Sequence, residues 1–145
     1  MKIVSITRTT ATAMLLLVAA LPGAAPAQND TALWEAVRSG NAFAMIRHAL
    51  APGTGDPQRV VIGDCTTQRN LSDSGGEQAR NIGSAFRSNG IASARVFTSE
   101  WCRCAETARL LGIGAVEPLP SLNSFFADRE REPAQTTALT TLIKT

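Results

Sequence analysis

Phe43-Ala44-Met45-Ile46-Arg47-His48 is the stretch on which the reading of this chain turns. Its apolar run, closed by a guanidinium and an imidazole, reads as a buried strand over Ala42 to Arg47. A strand with that exit sets a cation beside a nucleophile, which suits the handling of a phosphate group. His48 is the only histidine in the sequence, so no mechanism that needs two imidazoles is complete here. Taken alone, a histidine at a strand end is more often structural than catalytic.

Upstream, Asp30-Thr31 can cap a short helix through Leu33, Trp34 and Val37 that closes at Gly40. The first 27 residues are of another kind. Lys2 and Arg8 supply positive charge, Ala11 to Leu21 is nearly all apolar, and Pro22-Gly23 breaks the run before Ala25-Pro26-Ala27. This is the layout of a secretory signal peptide, with cleavage expected after Ala27. The run falls short of the roughly 20 apolar residues that a membrane span needs. The expected mature chain is 28–145, periplasmic or secreted, with no membrane association after cleavage. The full chain has 14 basic and 12 acidic residues and a formal net charge of +2. Loss of Lys2 and Arg8, with no acid lost, brings the mature chain to neutrality. No basic field then remains to recruit nucleic acid. Lys144 is the only lysine left, so the other cations are arginines, whose planar fork matches phosphate oxygens. A GC-rich genome explains that bias equally well, so individual arginines need positional support.

Downstream, Ala49 to Leu71 shows no helical period and is punctuated by Pro52, Gly53, Gly55, Pro57 and Gly63, which marks a long loop. Ser72-Asp73 opens a helix in which Ala79, Ile82 and Phe86 recur at helical spacing, ending at Asn89-Gly90. Ala94 to Thr98 reads as a second strand, Trp101 to Leu111 as a helix stopped by Gly112, and Val116 to Leu119 as a third strand. A charged cluster at Asp128 to Glu132 precedes a last helix over Thr136 to Ile143. Alternating strands and helices predict an α/β fold with a mostly parallel sheet, in which ligands sit beyond the carboxyl ends of the strands. His48 and Ser99 occupy such positions.

Three segments in register carry a resemblance. Met45-Ile46-Arg47-His48, Asn70-Leu71-Ser72-Asp73-Ser74-Gly75-Gly76-Glu77-Gln78-Ala79 and Ser99 to Ala108 (Ser-x-x-x-Arg-x-x-x-Thr-Ala) are together similar to the histidine phosphatase superfamily, which includes phosphoglycerate mutase-like enzymes. The resemblance covers about residues 42 to 120. It implies a three-layer α/β/α domain over 28–145 and hydrolysis of phosphomonoesters through a phosphohistidine on His48. It implies that Arg47 and Arg103 bind the phosphoryl oxygens, that Ser99 shapes the pocket, and that neither metal nor cofactor takes part. The expected partner is a small phosphorylated molecule, with an envelope sugar phosphate fitting an exported enzyme.

The chain departs from that pattern in three places. Ala49 follows His48 where glycine is common. Leu122 to Phe126 holds no acid where many relatives have a proton donor. A second active-site histidine on a later strand has no counterpart, so a C-terminal truncation is expected, with the last strand and helices of the fold missing. An inactive relic or phosphate-binding module of the same fold is the alternative function; an exported interaction domain with an accidental motif match is a second alternative.

In an exported protein Cys65, Cys102 and Cys104 tend to pair. Residues two apart on a helix point about 200° apart, so Cys102 and Cys104 do not bond each other readily. Cys65 is expected to bond one of them, which would pin the loop from Asp64 to Arg69 beside Arg103 and bring Arg69 to the pocket. A zinc site built from these cysteines and His48 matches no known ligand spacing.

Overall fold

A computed structural model describes residues 30–144; the signal peptide and cleavage site expected in residues 1–27 lie outside them. Helix α1 (Asp30–Arg38) is followed by an irregular stretch to Leu71, broken only by a 3-10 turn at Cys65–Thr67. Then come α2 (Asp73–Ser88), β1 (Val96–Thr98), α3 (Cys102–Leu111), β2 (Val116–Pro118) and α4 (Glu132–Ile143). Strands β1 and β2 pair in parallel, with Val96 opposite Val116, Phe97 opposite Glu117 and Thr98 opposite Pro118. Two further bonds, Ala94 N–H to Ile113 O and Leu119 N–H to Thr98 O, both 2.7 Å, extend the pairing past either end. A parallel pair needs a crossover, and α3 is that crossover. The described residues therefore form a mixed α/β structure around a two-stranded parallel sheet. Among them no helix is long and apolar enough to cross a membrane.

Local chemistry accounts for α2 and α3. Ser72 caps α2, its Oγ accepting from the Gly75 N–H at 3.1 Å. Asn89 closes the helix, donating its backbone N–H to Ala85 O and Phe86 O. The helical spacing of Ala79, Ile82 and Phe86 turns these side chains inward: Ala79 and Phe86 are buried and Ile82 is half-buried. Helix α3 stops at Gly112, which takes a left-handed φ of 60°. The last carbonyls of that segment are satisfied by Arg87, whose Nη1 donates to Leu111 O at 2.9 Å and Gly112 O at 3.2 Å.

The core gathers Phe86, Ile91, Val96, Ala108, Leu111 and Ile113, with Trp34, Val37, Ile82 and Val116 packed against it. Trp34 meets Phe86 edge-on, ring centroids 5.3 Å apart, which ties α1 to α2. Helices α2 and α3 approach closely because Gly83 faces the α3 terminus. A Cβ at Gly83 would overlap the carbonyl oxygen of Leu111 and lie 2.6 Å from its carbon.

Two expectations need correction. Residues 42–47 are not a strand: they form no regular structure and pair with nothing in the sheet. Phe43, Met45 and Ile46 are 58%, 66% and 38% exposed, so the run is not buried either. A buried parallel strand needs neighbours on its edges and cover on both faces. The described sheet consists of β1 and β2 alone and supplies neither to this stretch. The last helix begins at Glu132, four residues before the expected Thr136, because Pro133 is compatible with a first helical turn.

Candidate functional site

The three sequence segments quoted above meet at one point, the two residues after His48. The Ala49 N–H donates to Thr107 Oγ1 at 3.0 Å, and the Leu50 N–H donates to Gln78 Oε1 at 2.8 Å. Leu50 O accepts from the Ser72 N–H at 3.1 Å. Gly75 lies so close to Leu50 that a Cβ on it would overlap the Leu50 carbonyl oxygen. Thr107 is itself fixed, its hydroxyl donating to Arg103 O at 2.7 Å. Each segment thus has a physical task besides any chemistry. The start of α2 and the middle of α3 clamp the backbone that carries His48.

His48 is half-buried and its Nδ1 lies 2.6 Å from Ala49 O. A carbonyl oxygen only accepts, so Nδ1 is the protonated nitrogen. In the neutral ring this leaves the lone pair on Nε2. That atom is buried and has no hydrogen-bond partner. His48 and Arg47 stand on the wall of an open cavity of about 650 Å³, together with Ala51, Gly55, Arg69, Ser74 and Gln78. Arg47 is exposed, and no ion pair among the described residues involves it.

The two other arginines of the site are engaged by the loop between Ala51 and Asp56. Arg69 donates from Nε to Gly55 O at 2.7 Å and from Nη1 to Ala51 O. Arg103 is absent from the cavity wall. Its Nη1 and Nη2 grip the two oxygens of Asp56 at 2.7 and 3.1 Å, and its guanidinium lies 4.7 Å from the centroid of the Trp101 ring. The pair is largely removed from solvent, with side-chain exposures of 10% for Arg103 and 15% for Asp56. Such a bidentate, half-stacked arrangement is the strong form of a guanidinium–carboxylate contact. The Arg103 Nε–H is buried without a partner.

Cys65 is joined to Cys102, 37 residues away in sequence, and Cys104 is free and half-buried. The bridge fixes the loop at the first residue of α3, next to Arg103. The same junction carries a bond from the Cys102 N–H to Gln68 Oε1 at 2.9 Å. Ser99 is buried just past β1, and its carbonyl accepts from the Thr98 hydroxyl at 3.0 Å. It does not reach the cavity wall. The structure therefore brings Arg47, His48 and Arg69 to one cavity, holds Arg103 behind Asp56, and leaves Ser99 in the packing beneath.

Sequence reasoning missed Asp56 and gave no task to Gln68, Gln78 or Thr107. For Gln78 and Thr107 a signal existed, since both lie in the quoted segments. Asp56 carried only a weak one, a single acid between Gly55 and Pro57 in a loop that has two arginines for company. Set against protein-family models, curated proteins and solved structures, the chain matches none of them.

Proposed function

We propose that the protein is an exported phosphomonoester hydrolase of the histidine phosphatase kind, acting through His48. The observation that carries the reading is the His48 ring: Nδ1–H donates to Ala49 O, so the lone pair belongs to Nε2, buried and unpartnered, in a residue that lines one cavity with Arg47 and Arg69. In the proposed reaction Nε2 attacks phosphorus, an N–P bond forms and the bond to the ester oxygen breaks. Water then attacks the phosphohistidine, the N–P bond breaks, and inorganic phosphate leaves. Arg47 and Arg69 supply charge-assisted hydrogen bonds to the phosphoryl oxygens as negative charge builds on them. On this reading the β1–β2 pair belongs to the sheet of a three-layer α/β/α fold, and the substrate is a small phosphate ester such as an envelope sugar phosphate.

The described cavity wall has no carboxyl group to protonate a departing alkoxide. A substrate whose leaving group departs as a stabilised anion is the fair assay, and p-nitrophenyl phosphate is one. The purified chain should release p-nitrophenolate, and His48→Ala should abolish the release; equal rates reject the reading. One observation favours the alternative of a phosphate-binding module without turnover. Asp56 neutralises Arg103, so the deepest cation of the site is already paired. That alternative predicts stabilisation against heat by inorganic phosphate with no hydrolysis.

A further inference from the structure

We propose that residues 51–56 form a strap that closes the site: the Asp56 carboxylate occupies the anion-binding fork of Arg103, and a phosphoryl group reaches that fork by displacing it. The inference rests on the phosphate-site reading above and adds to it an internal competitor.

The fork is built to receive an oxyanion. Trp101 backs the guanidinium, α3 anchors its stem, and Asp56 fills it with the geometry that a phosphate would adopt. The fit of the present occupant is incomplete. A carboxylate has two oxygens, and both are spent on Nη1 and Nη2, while the Arg103 Nε–H stays buried and unpaired. A phosphoryl group can instead bind side-on, across Nε and one Nη, and so pair that donor.

The strap is also the part of the loop that can move away. Between Cys65 and Asn70 the loop is fixed by the disulfide, by the Asn70 side chain on Cys65 O and by Gln68 on Val61 O and the Cys102 N–H. From Pro52 to Gly55 every residue is exposed. The bonds that hold this part are polar: Asp56 to Arg103, the Arg69 N–H to Asp56 Oδ1 at 3.3 Å, and the Arg69 side chain to Gly55 O and Ala51 O. Gly53 and Gly55, at φ 87° and 67°, give the backbone on either side of Thr54 the freedom to swing. Gly55 already lines the cavity of His48. Lifting the strap joins that cavity to Arg103.

An internal occupant lowers apparent affinity by the fraction of time the fork is open. Asp56→Asn removes its charge and keeps its shape, so it should bind inorganic phosphate at least about tenfold more tightly than the wild type in a calorimetric titration. In the wild type, phosphate should speed hydrogen exchange at the Arg69 N–H, which donates to Asp56 Oδ1. Equal or weaker binding by folded Asp56→Asn overturns the strap and makes Asp56 a positioning partner of Arg103. If that variant does not fold, wild-type exchange decides, and slower exchange of the Arg69 N–H with phosphate overturns the proposal. Failure of phosphate to bind either protein overturns it too. His48-dependent hydrolysis of p-nitrophenyl phosphate in that case leaves the phosphatase reading standing, and loss of both removes the two together.

Discussion

The segment from Asp73 to Pro118 and the segment from Ala42 to Leu71 are held by different forces. The first is a helix–strand–helix–strand unit whose cohesion comes from apolar burial around Phe86 and from the close approach of α2 to α3 at Gly83. The second keeps Phe43, Met45, Val61 and Ile62 exposed. It is secured by single hydrogen bonds, one buried ion pair and one disulfide. Apolar packing resists small changes collectively, whereas each polar link acts at one place. The residues proposed to do chemistry lie in the second segment and are positioned from the first.

The largest effect expected is at the tie between the two. Replacing both Cys65 and Cys102 by serine opens a loop of 37 residues in sequence separation. Loop-closure entropy then predicts a loss of about 4 kcal/mol, read from urea unfolding under oxidising conditions. A change below about 1 kcal/mol would mean that the polar links alone suffice to hold the segment.

Next comes Gly83→Ala. The added Cβ meets backbone atoms of Leu111 that cannot turn aside, and overpacking of this kind costs about 3 kcal/mol. The melting temperature should fall in proportion, and a neutral effect would contradict the close approach of α2 and α3. Thr107→Val is smaller in stability and sharper in function. It leaves the buried Ala49 N–H without its acceptor, at a cost of about 1–2 kcal/mol. Hydrolysis should fall more steeply than folding stability, because Ala49 O orients the His48 ring. An unchanged rate at unchanged fold would separate the clamp from the chemistry.

The smallest effect belongs to the surface of α3. The Arg109 side chain donates to both oxygens of Glu106 and holds that carboxyl below its ordinary value of 4.5, outweighing the opposing push from burial. A depressed folded value means that the contribution is present above 4.5 and is lost as pH falls through the folded value. Stabilities of the parent and Glu106→Gln should converge on acidification. A gap that persists in acid contradicts the pairing.

Periodicity and capping residues made α1, α2, α3 and both short strands legible from sequence. Ser72, Asn89 and Gly112 stop or start helices through local chemistry that needs no tertiary partner. The run from Phe43 to Ile46 misled for the opposite reason. An apolar run states what its side chains prefer and says nothing about which strand will lie beside it. At the site, export and helical spacing left Cys65 a choice between Cys102 and Cys104, and the bond is to Cys102. Asp56 was not readable, since nothing along the chain ties an acid in a glycine- and proline-rich loop to an arginine 47 positions later. Gln78 and Thr107 were visible as letters of a motif, and only their distances to residues 49 and 50 give them a physical task.

Transfer of the phosphoryl group to His48 Nε2 would leave an intermediate that can be trapped. The purified chain is mixed with p-nitrophenyl phosphate, quenched in alkali within the first turnover and analysed by peptide mass spectrometry, since a phosphoramidate bond survives base and is lost in acid. One phosphoryl group is expected on the peptide containing His48, removed by brief acid treatment and absent from His48→Ala. Hydrolysis at the wild-type rate with no adduct on that peptide, or an adduct on another residue, would contradict transfer to His48.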